Sequence, residues 1–126
     1  MRRLYAALGV LALIVAIVTT GFIINTRTAE SILKKLELAY SSAESGNVNY
    51  AREVFSKAKK EWSDNVETML LFISHGRIDR IDEAFDSAET YLKNNDISMF
   101  LAECSTARLL TEHFIDVEYP YINNIF

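Results

Sequence analysis

Turn-forming residues are scarce in this sequence. Proline occurs once, at Pro120, and glycine four times, at Gly9, Gly21, Gly46 and Gly76. A chain so poor in them cannot supply the many hairpins of an all-β fold, so helices are favoured before any periodicity is considered. Cysteine also occurs once, at Cys104, which excludes an intramolecular disulfide and any multi-cysteine metal site. Basic charge is in deficit as well. Beyond Arg2 and Arg3 there are 11 basic against 17 acidic side chains, a net charge of −6. Nucleic-acid binding relies on Lys and Arg neutralising phosphates, so this balance argues against a nucleic-acid partner.

Charge is missing altogether from residues 4–24, an apolar run of 21 residues. At about 1.5 Å of helical rise per residue, such a run spans a hydrocarbon layer of about 30 Å. A cleaved signal peptide would carry a shorter apolar core, about 7–15 residues, and a small-residue exit. The run here is longer and ends in Val18-Thr19-Thr20-Gly21-Phe22, a weak cleavage site. A retained transmembrane anchor over residues 1–25 is the expectation, with residues 26–126 forming a separate domain. Arg2 and Arg3 lie on one side of the run and Arg27 alone is close on the other. The excess of basic residues on the cytoplasmic side of membrane spans then places the N-terminus in the cytoplasm and the domain outside it.

What the domain does contain is helical spacing. Four amphipathic segments follow the anchor, each with apolar residues at steps of three and four. Ala29, Ile32, Leu33, Leu36, Tyr40 and Ala43 define the first, which nothing separates from the anchor after Gly21. Ser45-Gly46-Asn47 ends it, because Gly accepts the left-handed conformation of a helix C-cap, and Asn47 can cap the next helix. Val48, Ala51, Val54, Phe55, Ala58 and Trp62 make the second stripe, with Lys57, Lys59 and Lys60 outward. Ser63-Asp64-Asn65 reads as the following break, with Asp64 and Glu67 spaced as a capping box. A long third helix is expected from about residue 66 to 93, with His75-Gly76 as a kink inside it. Asn94-Asn95-Asp96 turns the chain into a fourth helix carrying Ile97, Phe100, Cys104, Ala107 and Thr111, which Pro120 closes.

Short connections between such helices make antiparallel neighbours. The fold class is therefore all-α, an N-terminal transmembrane helix followed by an antiparallel bundle of about four helices. The turns at Gly46-Asn47 and Asn95-Asp96 lie 49 residues apart, and Val48/Ile97, Ser56/Ser105, Ala58/Ala107 and Lys59/Arg108 align at that offset. The period of about 34 residues expected of tetratricopeptide stacks is absent.

Several features occur as a set: the charged start with one membrane span, Trp62 closing the second helix, His75 followed by Ile78-Asp79 and Ile81-Asp82, and the terminal Asn123-Asn124-Ile125-Phe126. Together they resemble the domain-of-unknown-function family numbered 4363, short single-pass helical proteins of Firmicute bacteria. The resemblance covers nearly the whole chain. It implies a membrane-anchored helical architecture at the cell envelope and carries over no active site.

No constellation points to a reaction. No Gly-x-Ser-x-Gly elbow or Gly-rich phosphate loop is present, Cys104 falls on a core stripe, and Asp82 and Glu83 read as solvated helix residues. The expectation is a non-enzyme without a cofactor. His75 and His113 flank residue 94 symmetrically, with Asp79 one turn from the first and Asp116 three residues past the second. Two imidazoles and two carboxylates at one height could bind a divalent metal or sense pH between about 5 and 8. Helical phase turns His113 away from its apolar stripe, which favours two solvated histidines. The C-terminal segment is unusually apolar for a tail, with Tyr119, Tyr121, Ile122, Ile125 and Phe126. It either covers the open end of the bundle or docks a partner protein. The functional expectation is a non-catalytic interaction or scaffolding module, tethered to the bilayer by its first helix and binding an envelope protein or its own copies. The rival is an extracytoplasmic sensory domain binding a small ligand or metal.

Overall fold

The structure is a computed structural model that describes the backbone of every residue except Phe72 and Phe126, and the side chains of all but Phe72 and residues 114–126. Its described residues form four helices and no strand: α1 (Arg2–Glu44), α2 (Val48–Met69), α3 (His75–Lys93) and α4 (Ile97–Ile125). The apolar run and the first amphipathic segment are one continuous helix of 43 residues. Burial begins abruptly along it. Residues before Gly21 are exposed, Gly21 and Phe22 are half-buried, and Asn25, Thr26, Ala29, Ile32, Leu36, Ala39 and Ala43 enter the core.

The first and third connections are built alike. After α1, the Asn47 amide donates to the Ser42 carbonyl (2.8 Å) and the Gly46 amide to Ala43 (3.2 Å), with Gly46 at φ 93°. After α3, the Asp96 amide donates to the Tyr91 carbonyl (2.9 Å) and the Asn95 amide to Leu92 (3.2 Å), with Asn95 at φ 58°. These bonds satisfy carbonyls that a helix end would leave orphaned, and Asn substitutes for Gly because it tolerates the left-handed region. The next residue then caps the following helix: Asn47 Oδ1 accepts from the Tyr50 amide (3.4 Å) and Asp96 Oδ1 from the Met99 amide (3.3 Å).

The 49-residue offset runs through the core. Ile32 and Ile81, Leu36 and Phe85, Ala39 and Ala88, Phe55 and Cys104, and Ala58 and Ala107 are all buried at matching positions of the two helical hairpins. Side-chain volume breaks this repeat. The seam between α1 and α4 is close, and there the small Cys104 of α4 reaches the Leu36 carbonyl of α1. Between α2 and α3 stand Phe55, Trp62 and Phe85, joined by Phe100 from α4, and these rings hold the two helices apart. Phe55 meets Phe100 edge-on with centroids 5.4 Å apart, and Trp62 stacks on Phe85 at 6.0 Å.

Three expectations are corrected. Ser63-Asp64-Asn65 is no break: α2 runs through it to Met69, so Asp64 and Glu67 form no capping box and Trp62 lies within the helix. Ser63 and Asp64 face solvent and Asn65 Nδ2 donates to the Glu61 carbonyl (2.7 Å), so the polar side chains are satisfied without leaving the helix. Buried Trp62 and Met69, two turns apart, hold the stretch on one stripe, and tertiary burial overrides the local signal. His75-Gly76 is consequently the first turn of α3 rather than a kink. Pro120 does not close α4, which continues to Ile125. Its ring nitrogen has no proton to give the Asp116 carbonyl, so the helix carries one missing bond there.

Candidate functional site

Helix positions decide which side chains can act together. α2 and α3 run antiparallel, since rising numbers on one meet falling numbers on the other: Arg52 reaches the Leu92 carbonyl (3.2 Å) and Asn95 Oδ1, Lys59 reaches Asp86 and Glu89, and Trp62 reaches Asp82. Around the aromatic rings, polar side chains also bridge the wide spacing between the two helices. Lys59 Nζ lies 2.8 Å from Glu89 Oε2 and 3.0 Å from Asp86 Oδ1, and Lys93 adds a second cation 3.0 Å from Glu89. Partial burial of the Lys59 ammonium works to lower its pKa, but the hydrogen bonds to Glu89 and Asp86 outweigh it and the net shift is upward. The hydrogen bond from Lys59 holds the Glu89 carboxyl below its ordinary value, despite desolvation that opposes it. Both partners move toward their charged forms, the signature of a lock between helices.

On the opposite seam, Lys35 pairs with Glu61, which also accepts from Ser31 Oγ (3.2 Å). Arg108 lies 5.7 Å from the ring centre of Tyr40, a cation–π contact between α4 and α1. The buried Cys104 Sγ lies 3.5 Å from the Leu36 carbonyl, to which it donates, and burial pushes its thiol up to about 12, with nearby Arg108 only partly opposing this. A thiol so raised and enclosed is a packing group rather than a nucleophile.

The residues singled out from sequence are exposed where their side chains are described. His75 opens α3 and is exposed, Asp79 is exposed one turn later, and His113 is exposed on α4. The Asp116 side chain lies outside the described residues, as do Tyr119, Tyr121, Ile122, Ile125 and Phe126. Among the described residues no group of three or more His, Cys, Asp or Glu is placed to hold a metal ion. Two open grooves lie between helices. One of about 350 Å³, between α3 and α4, is lined by Arg80, Glu83, Ser87, Glu103, Thr106 and Leu110. The other, about 370 Å³, lies beside Arg52, Phe55, Glu89 and Leu92.

The DUF4363 profile, a domain of unknown function, matches residues 22–125. The chain belongs to this family. No curated protein and no solved structure matches it. The DUF4363 match begins inside the apolar run, at the half-buried Phe22, so the shared unit takes in the place where α1 joins the bundle.

That junction holds two features the sequence reading missed. Asn25 and Thr26 are buried, and neither Asn25 Nδ2 nor Thr26 Oγ1 has a hydrogen-bond partner among the described residues. The α2–α3 connection, with Leu70 and Leu71, was hidden inside the long third helix expected there. No glycine or proline marks it. The available signal was the apolar tetrad at residues 70–73, followed by Ser74 in an extended conformation as the N-cap of α3. α1 itself is long and apolar enough to cross a membrane: an 18-residue window averages a hydropathy of 2.7, with none of it buried.

Proposed function

We propose that this DUF4363 protein is a membrane-anchored, non-catalytic helical module that binds another protein of the cell envelope or a second copy of itself. One observation carries the reading: α1 passes without a break from an unburied apolar segment into the core of a packed bundle. A rigid joint of this kind holds a domain at a set height and direction over a membrane surface. The bulk of the chain is read as extracytoplasmic, from Arg2 and Arg3 ahead of the span.

The C-terminal residues Tyr119, Tyr121, Ile122, Ile125 and Phe126 are the proposed docking strip for the protein partner. The test is crosslinking in native membranes, with an affinity tag on the N-terminus so that the C-terminal segment stays free. Mass spectrometry of what is recovered is compared with that of a chain truncated after residue 113. A specific partner, or a crosslinked copy of the chain, that disappears on truncation is the expected result. Recovery of the uncrosslinked chain in both cases would overturn the docking role.

A further inference from the structure

The three connections of the bundle differ in chemistry according to the end on which they lie. Ser45-Gly46-Asn47 and Asn94-Asn95-Asp96 sit together at one end and are polar, as connections facing water ordinarily are. The connection between α2 and α3 lies at the other end and reads Leu70-Leu71-Phe72-Ile73-Ser74. Leu71 is 79% exposed, more than any other large apolar side chain among the described residues beyond the apolar run of α1. Among the described residues no element of the bundle covers it.

Its height can be derived. α2 runs back along α1, with Glu61 opposite Ser31 and Lys35. Met69 to Leu71 are eight to ten residues past Glu61, about 12–15 Å of helical rise. This sets them beside the residues of α1 numbered in the low to middle twenties, where the uncharged run ends at Ile24. If residues 4–24 fill a hydrocarbon layer of about 30 Å, the end of that run is the boundary between acyl chains and headgroups. The apolar connection is at the same boundary. Arg27, Arg77 and Arg80 are exposed within the neighbouring turns of α1 and α3, and so are Glu30, Asp79 and, on α2, Glu67. Charge at this end is therefore mixed, and the attraction to lipid is apolar rather than electrostatic.

We propose that the α2–α3 connection inserts Leu71 into the leaflet from which α1 emerges, as a second attachment of the bundle to the lipid bilayer. This rests on the reading of α1 as a retained membrane anchor. With one attachment, α1 and the bundle it joins rigidly would tilt together in the bilayer. Two, on different helices, set its tilt and present the same face outward.

The experiment uses the full chain in phosphatidylcholine vesicles. A single environment-sensitive fluorophore is attached through Leu71→Cys, Ile14→Cys or Ser45→Cys, and quenching is read with two lipids in turn, one bearing a nitroxide near the headgroup end of its acyl chain, to report on position 71, and one near the methyl end, to report on position 14. Native Cys104 is fully buried and stays unlabelled. Because Leu71, Ile14 and Ser45 are all exposed, the helical signal should match that of the unchanged chain. Strong quenching at positions 71 and 14, with none at 45, is the expected pattern. Quenching at 14 with position 71 as dark to lipid as 45 overturns the insertion while the anchor stands. No quenching at 14 removes the anchor itself. Disulfides between chains at position 71 that persist when the protein is diluted in lipid would assign the connection to a second copy and overturn the proposal.

Discussion

At the scale of single residues, Cys104 and Asn25 show opposite outcomes of burial. Cys104 satisfies its weak donor on the Leu36 carbonyl, and its thiol is raised to about 12. It is expected to stay unreactive toward maleimide at pH 8 in the folded protein and to react on unfolding, at a rate that follows loss of helical signal. Rapid labelling of the native chain would show that the α1–α4 seam opens locally. Asn25 is buried with its amide nitrogen unpaired among the described residues. An unsatisfied buried donor costs about 1–3 kcal/mol, so Asn25→Leu, close in shape, should raise stability by about 1 kcal/mol in detergent. A decrease of the same size would mean that the amide has a partner in the folded protein.

Turns and inter-helix locks belong to the scale of elements. Gly46 holds φ 93° with open space around the position of a Cβ, so only the backbone, not packing, resists a side chain there. Gly46→Ala should cost about 1–2 kcal/mol in chemical denaturation, the penalty for an L-residue in left-handed geometry. Gly76 has the same open space but no positive φ. Gly76→Ala should therefore be neutral or stabilising.

The pair Lys59–Glu89 makes the α2–α3 contact depend on pH. Glu89 has its folded value lowered, so its contribution is present above the ordinary carboxylate value and is lost as pH falls through the folded one. Lys59 has its value raised, so its contribution is present below the ordinary lysine value and is lost as pH rises through the folded one. The lock is intact across the neutral range and fails at both extremes. Both side chains are partly exposed, and such pairs contribute about 1 kcal/mol or less. Glu89→Gln should flatten the acid limb of the stability profile. An unchanged limb would assign it to other carboxylates.

For the whole molecule, one core joins the two hairpins. Phe85 contacts Phe55 and Trp62 across the α2–α3 gap, and Phe55 in turn meets Phe100. Phe85→Ala should destabilise by about 3–5 kcal/mol, the usual cost of truncating a buried aromatic ring. The transition should remain single, with Trp62 fluorescence and circular dichroism changing together. Separate transitions would show that the hairpins fold independently and that the 49-residue repeat is a pair of autonomous units.

Sequence by itself determined the features that depend on local chemistry. The helical class follows from apolar spacing and from the want of glycine and proline. The turns at Gly46 and Asn95 follow from residues that accept left-handed backbone and cap the next helix, and α1 is continuous because nothing in it interrupts a helix. The outward direction of His113 was legible in the same way, from helical phase alone. Tertiary structure decided what local chemistry leaves undetermined. The polar triplet at Ser63 stayed helical because Trp62 and Met69 on either side of it are buried, an energy no local signal contains. The break fell instead in an apolar stretch without glycine or proline, at the height where α1 leaves the bundle. Packing also set the unequal seams, close where Cys104 of α4 meets Leu36 of α1, and wide where Phe55, Trp62 and Phe85 stand between α2 and α3. Each of these depends on which residues meet across the core, and that becomes definite only when all four helices are in place.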